Sequence, residues 1–154
     1  MLLLSIRPHY VEKIFDGRKT VELRKRAPNC PPGEQIVIYS TMPEKLLVGL
    51  VEVEDIVEGS PDSLWRLVAA RSCVGRRQYR QYYAIANSAV GIFIGHPRRF
   101  QRPVPLNALR DKWRGFHPPQ SHIYLSEQQA EFVAGLAYAK ARGHQKSAAT
   151  LKAA

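Results

Sequence analysis

Apolar and polar positions along the chain change period several times, and each change marks an element. Leu2-Leu3-Leu4-Ser5-Ile6 is an apolar run of strand length, the pattern of a buried strand. From Pro8 the period becomes helical: Tyr10, Val11, Ile14 and Phe15 share one face, and Glu12, Lys13 and Asp16 the other. Proline suits the first helical position because its missing N–H has no partner there, and Gly17 suits a left-handed stop. Alternation by two follows at once. Val21 and Leu23 point one way, while Thr20, Glu22, Arg24 and Arg26 point the other, as in a half-buried strand.

Beyond a proline-rich loop at 27–34, Ile36 to Ser40 reads as a strand and Leu46 to Val57 as a longer one. Gly49 within it marks a bulge or a close backbone approach. Ser60-Pro61-Asp62 opens a helix with cap, first-turn proline and dipole-matched carboxylate; Leu64, Trp65, Leu67 and Val68 form its apolar face. A further helix is expected over 76–84. Ala89 to Gly95 is strongly apolar, and the basic stretch His96 to Pro103 continues or pairs with it. Leu106 to Leu109 reads as a single turn. The aromatic and proline-rich segment 113–125 suits a strap across the mouth of a barrel or a stacking surface for a base. Ser126-Glu127-Gln128-Gln129 has the capping-box pattern; the helix it starts is expected to reach Arg142 and stop at Gly143. The expected organisation is a domain over 1–125, a helix over 126–143 packed on it, and a flexible tail over 144–154.

Composition bounds the function. With 154 residues and 45% apolar content, the chain can bury a core without disulfides or metals. A net charge of +10 points to a polyanionic partner such as RNA or DNA. Cys30 and Cys73 are isolated and form no zinc pattern. No apolar run approaches a membrane span, and the apolar start is interrupted too early for a secretory leader, so a cytoplasmic location with no membrane partner is expected.

Candidate chemistry narrows the field further. There is no GxSxG, HExxH, Walker loop or GxGxxG. Glu52, Glu54, Asp55 and Glu58 are acidic, but neighbouring strand positions alternate faces, so solvent or arginine partners are expected rather than a metal. His117 and His122 lack a defined third ligand. No metal and no cofactor are expected. Arg76, Arg77 and Arg80 interleave with Tyr79, Tyr82 and Tyr83; this pattern grips a nucleic-acid strand or, equally, builds an ordinary amphipathic helix with tyrosines inward. Lys19 and Glu22 are the foremost chemical candidates. A lysine in a lined cleft can act as base or nucleophile beside a carboxylate, and the same two residues can form a simple ion pair.

Asp16-Gly17, then Lys19-Thr20-Val21-Glu22-Leu23-Arg24, resembles the start of ASCH domains, a branch of the PUA-like superfamily. Tyr39-Ser40-Thr41 with Pro43, and Val48-Gly49 with the following strand, resemble it too, over about residues 1–125. Phe116 to Leu125 and the final helix look like an extension found in a subset described as predicted transcriptional regulators. The resemblance implies an α+β fold: a small, mixed-sheet β-barrel flanked by helices, with a cleft lined by the G-x-K-x-x-E-x-R residues. It implies RNA binding, and in some relatives enzymatic activity. One branch is similar to amidohydrolases that deacylate N4-acetylcytidine, whose lysine matches Lys19; Glu22 stands in the place of their threonine. Another branch is described as a ribonuclease.

The expected function is therefore nucleic-acid binding, RNA favoured, through Lys19, Glu22, Arg24 and Arg26, with Arg76, Arg77, Arg98 and Arg99 extending the basic surface. Glu22 would accept from a base amine; Lys19 and Arg24 would meet phosphate or a base carbonyl. The alternative is a hydrolase acting on a modified nucleoside, or a ribonuclease, with Lys19 and Glu22 as catalytic residues. A third reading is a regulator acting through protein partners.

Overall fold

The computed structural model describes residues 1–138, so the expected helix end near Arg142, its Gly143 stop and the 144–154 tail lie outside the described residues. Strand β1 (Leu2–Ile6) is buried almost throughout, as its apolar run requires. Pro8 opens α1 (Pro8–Phe15), which buries Val11 and Ile14. Gly17 takes φ +80° and turns the chain into β2 (Val21–Arg24). Then come β3 (Gln35–Ser40), β4 (Leu46–Gly59), α2 (Pro61–Val68) and α3 (Arg76–Tyr82). The basic stretch after Gly95 does continue its strand: β5 runs from Ala89 to Pro105. The described residues end with α4 (Leu106–Lys112), β6 (His122–Tyr124) and α5 (Glu127–Tyr138).

The six strands of the described residues form one mixed sheet in the order β2-β5-β4-β3-β1-β6. Among them, only β1 and β3 pair in parallel. The sheet curls into a half-barrel because its two longest strands are irregular: the β4–β5 ladder shifts register three times, and each shift adds local twist and bend. Gly49 lies at one shift, and a Cβ there would press on the Arg98 carbonyl and sit 2.6 Å from the Phe15 ring. Both readings of that glycine, bulge and close approach, therefore hold.

The apolar residues sort into three groups. One fills the space between α1 and the concave sheet, with Leu2, Leu4, Ile14, Ile38 and Ile92. A second lies on the opposite face under α4 and α5, with Leu3, Val37, Leu109, Trp113 and Val133. A third joins α2 and α3 to the β2–β5 edge through Val21, Leu64, Val68, Tyr79 and Tyr83. Alternation along β1 sends Leu2 and Leu4 to the first group and Leu3 to the second, so this strand is buried on both faces.

Four expectations change. Leu67 is 56% exposed rather than part of the α2 apolar face, because Leu64 and Val68 turn inward, with Trp65 partly buried beside them. The single turn at 106–109 is a two-turn helix, α4, anchored by buried Leu109. Trp113 and Phe116 are buried in the second group and supply no stacking surface. The strand β2 is not half-buried: all four of its residues are inside, the charged ones included.

Gly49→Ala is expected to cost about 1–3 kcal/mol through overpacking, whereas Leu67→Gln should change stability by less than about 0.5 kcal/mol. Urea unfolding of the two variants checks the contrast.

Candidate functional site

Lys19 sits in the turn between α1 and β2, and two local devices place it. Its backbone N–H donates to the Lys13 carbonyl at 2.7 Å, folding the turn back on the helix. On the other side, the Arg71 carbonyl accepts from the N–H groups of Thr20 and Val21, and Arg71 Nε donates to Thr20 Oγ1 at 2.9 Å. This docks the 71–73 turn, with Cys73 at φ +56°, against the start of β2.

The result is a closed shell around the lysine. Lys19 is 2% exposed, and its Nζ donates to the carbonyls of Val21 and Ser72, each at 2.8 Å. The third direction meets Glu22 Oε2 at 3.2 Å, and the Tyr10 ring centroid lies 4.9 Å away. An ammonium has three N–H donors and no more. All three are used here on protein groups.

Glu22 shares its carboxylate between two cations. Oε2 faces Lys19, and Oε1 accepts from Arg24 Nη2 at 3.0 Å. Arg24 then reaches across the open side of the half-barrel. Its Nη2 also donates to the Ser5 carbonyl of β1 at 3.0 Å, and Nη1 donates to the Ser121 carbonyl, just before β6, at 3.2 Å. Because β2 and β6 are the two edges of the sheet, this one guanidinium bridges them. The phenol of buried Tyr83 fastens the end of β2 by donating to the Arg24 carbonyl at 2.9 Å. Burial pushes that phenol's pKa well up. His122 is held below the usual histidine range, first by burial and then by the Arg24 charge.

These side chains form the floor of a cleft of about 590 Å³, lined also by Ser5, Arg7, Tyr10, Gln78, Gln81, Tyr82 and Gln120. Two buried atoms in its wall have no hydrogen-bond partner among the described residues: Arg24 Nε and Ser5 Oγ. A buried polar atom left unpaired is costly.

The structure thus brings Lys19, Glu22 and Arg24 together and separates the other expected residues from them. Arg26, Arg76 and Arg77 are exposed and do not line the cleft. Arg99 pairs with Glu12 at 2.7 Å and covers Phe15, and Arg98 covers Tyr138. Lys19 meets two protein carbonyls and Glu22, and Arg24 likewise meets two carbonyls and Glu22. On α3 the tyrosines divide. Tyr79 and Tyr83 are core, while Tyr82 is 42% exposed and lines the cleft. Gln78, Gln81 and Gln120 gave no signal in the sequence, and Ser5 gave only its polarity within an apolar run. Glu54 approaches Arg71 at 3.9 Å, and Glu58 accepts from Ser88. Among the described residues no three metal-ligating side chains converge.

A family model for the ASCH domain matches residues 4–98. The chain belongs to the ASCH-domain family. Over 134 residues this ASCH chain is 31% identical to a Zymomonas mobilis protein named ASCH domain-containing ribonuclease, spanning 87% of this chain and 90% of that one. The crystal structure of ASCH from Zymomonas mobilis superposes with a TM-score of 0.82 at 30% identity, covering 88% of this chain and 94% of that one. The N-terminal domain of Staphylothermus marinus McrB shares the fold, with a TM-score of 0.55 at 13% identity, covering 87% of this chain and 92% of that domain. The ASCH fold here is the mixed α+β architecture expected from the resemblance, with the curl ending at a half-barrel. No helix among the described residues is long and apolar enough to cross a membrane.

Removing Lys19 alone would leave Glu22 buried with one cation fewer. Lys19→Met is expected to cost about 3–5 kcal/mol. In the double variant Lys19→Met/Glu22→Gln the loss should fall clearly short of the sum of the two single losses. Urea denaturation of all three variants measures the coupling; additive losses would mean that the ion pair does not organise the turn.

Proposed function

We propose that this ASCH-domain protein binds RNA and processes it, taking one nucleotide base into the cleft between α1, β2 and α3. The cleft carries the reading. It has the volume of a small-ligand site, a charged floor, and walls carrying glutamine side chains. The net charge of +10 supplies long-range attraction for a polyanion, and the name of the Zymomonas relative points to the same substrate class.

The roles follow from the bonds. Glu22 spends one lone pair of each oxygen on Lys19 and Arg24 and keeps others for the N–H donors of a base. The Arg24 guanidinium, with more N–H groups than bonds to protein, donates to a base carbonyl or ring nitrogen. Gln78, Gln81 and Gln120 offer both donors and acceptors on the walls. Lys19 is a positioning residue that fixes the Glu22 carboxylate. Phosphates fall to the exposed cations Arg26, Arg76 and Arg77, where arginine suits them by charge and by paired N–H groups.

A second reading is hydrolysis of a modified nucleoside, favoured by the cleft being closer in size to a nucleoside than to a strand. It requires an attacking group other than Lys19, since that amine has its three donors engaged.

Fluorescence anisotropy with single-stranded RNA over a range of salt, together with denaturing gels of the same RNA, tests the proposal. The expected results are binding and cleavage. Arg26→Ala/Arg76→Ala/Arg77→Ala should lower the slope of log affinity against log salt by about 2, near 0.7 for each phosphate no longer neutralised. Binding without cleavage would assign a regulatory role in place of processing. No RNA binding, with turnover of acylated cytidine, would establish the second reading instead.

A further inference from the structure

Tyr82 stands between two environments. It lines the cleft beside Glu22 and Arg24, but Lys25, whose Nζ lies over its ring at 5.1 Å from the centroid, does not. One side of the ring is therefore turned out of the cleft, under a lysine. The ring is also held in place. It meets buried Tyr83 edge to face, with centroids 4.7 Å apart and planes at 76°. Tyr83 in turn is 3% exposed and tied through its hydroxyl to the Arg24 carbonyl. A half-exposed aromatic on so fixed a mount has little freedom left to lose on binding, which favours its use as a contact surface.

Tyr82 is 42% exposed, and Ile85, three residues on, is 92% exposed with almost nothing packed against it. Lys25 and Arg26 follow directly from β2 and are both exposed. A flat aromatic face beside flexible cations is what single-stranded nucleic acid recognises: the ring stacks on a base, and the cations meet the phosphates on either side. A duplex, with its base faces already stacked, has nothing to offer the ring.

We propose that Tyr82 and Lys25 form a stacking platform for a second nucleotide of single-stranded RNA, the neighbour of the one held in the cleft. This rests on the RNA reading given above. The base takes the ring face that Lys25 covers in the free protein. The lysine exchanges its exposed cation–π contact, itself a weak one, for the adjoining phosphate. The platform makes the protein selective for single strands and gives it a second nucleotide position outside the cleft.

The test uses a fluorescently labelled oligouridine, the same oligomer with one abasic position moved along it, and a duplex of the same length. Tyr82→Leu keeps the apolar bulk and removes the stacking face; it should weaken oligomer binding about 5- to 100-fold. Tyr82→Phe should bind as the unmodified protein does. Lys25→Gln should reduce the salt slope by about 0.7. In the unmodified protein one abasic position beside the cleft nucleotide should weaken binding, and in Tyr82→Leu that penalty should vanish. Thermal unfolding of each variant should match the unmodified protein, which separates loss of stacking from loss of fold. Oligomer binding that is indifferent to Tyr82→Leu, to Lys25→Gln and to the abasic scan would overturn the platform and leave the cleft reading standing. No oligomer binding by the unmodified protein would overturn both.

Discussion

The short strand β2 carries a buried ion network, and the site is built around it. Lys19, Glu22 and Arg24 are each at least nine-tenths buried. Taking such charges out of water costs several kcal/mol apiece, and their mutual attraction offsets this only where the remaining donors and acceptors are satisfied. Here the lysine meets that condition in full, with two carbonyls and a carboxylate. Such a network adds little net stability over an apolar core of the same volume. What it does is select one arrangement. A one-residue slip of β2 would turn Val21 and Leu23 out of the third apolar group and strand the charges among Leu64, Val68 and Tyr79.

The same network closes the sheet. Six strands that curl only half-way leave two free edges, β2 and β6. In place of a backbone ladder between them, the Arg24 guanidinium takes one carbonyl from β1 and one from the segment entering β6. A side-chain bridge is open where a ladder would be filled. The space it leaves is the cleft. One side chain thus both joins the sheet's edges and lines the cleft between them.

The charges of the molecule divide by depth. Those of the motif are buried and shape the cleft, while most of the arginines that make the chain basic lie on the surface, a few of them paired, as Arg99 is with Glu12. Buried cations with fixed partners are poor phosphate ligands, since meeting a phosphate would mean leaving a carbonyl unpaired. Exposed arginines have no such tie. A nucleic-acid reading of this protein therefore gives base recognition to the motif and the backbone to the surface, the reverse of what a lysine and arginine in a motif first suggest.

Local pattern carried much of the fold. The apolar run of β1, the Pro8–Gly17 helix, the serine cap before Pro61 and the capping box at Ser126 are short-range effects, readable from a few neighbouring residues. The motif residues, too, were visible as a set, because a period of two puts Glu22 and Arg24 on one face. What alternation could not say was whether that face met water or protein. That was decided by the 71–73 turn, by Ser5 and by Ser121, which lie 53, 19 and 97 residues from their partners in the motif. For the same reason Leu67 and Tyr82 were misjudged or left open: one helix turn shows which residues share a face, and only the packed neighbour shows how wide that face is. Residue types and spacing determined that this chain is strongly basic and carries an ASCH motif, and the resemblance through that motif implied the mixed sheet. Tertiary structure alone decided that the motif lies inside, since burial depends on distant segments whose approach leaves no mark on local periodicity.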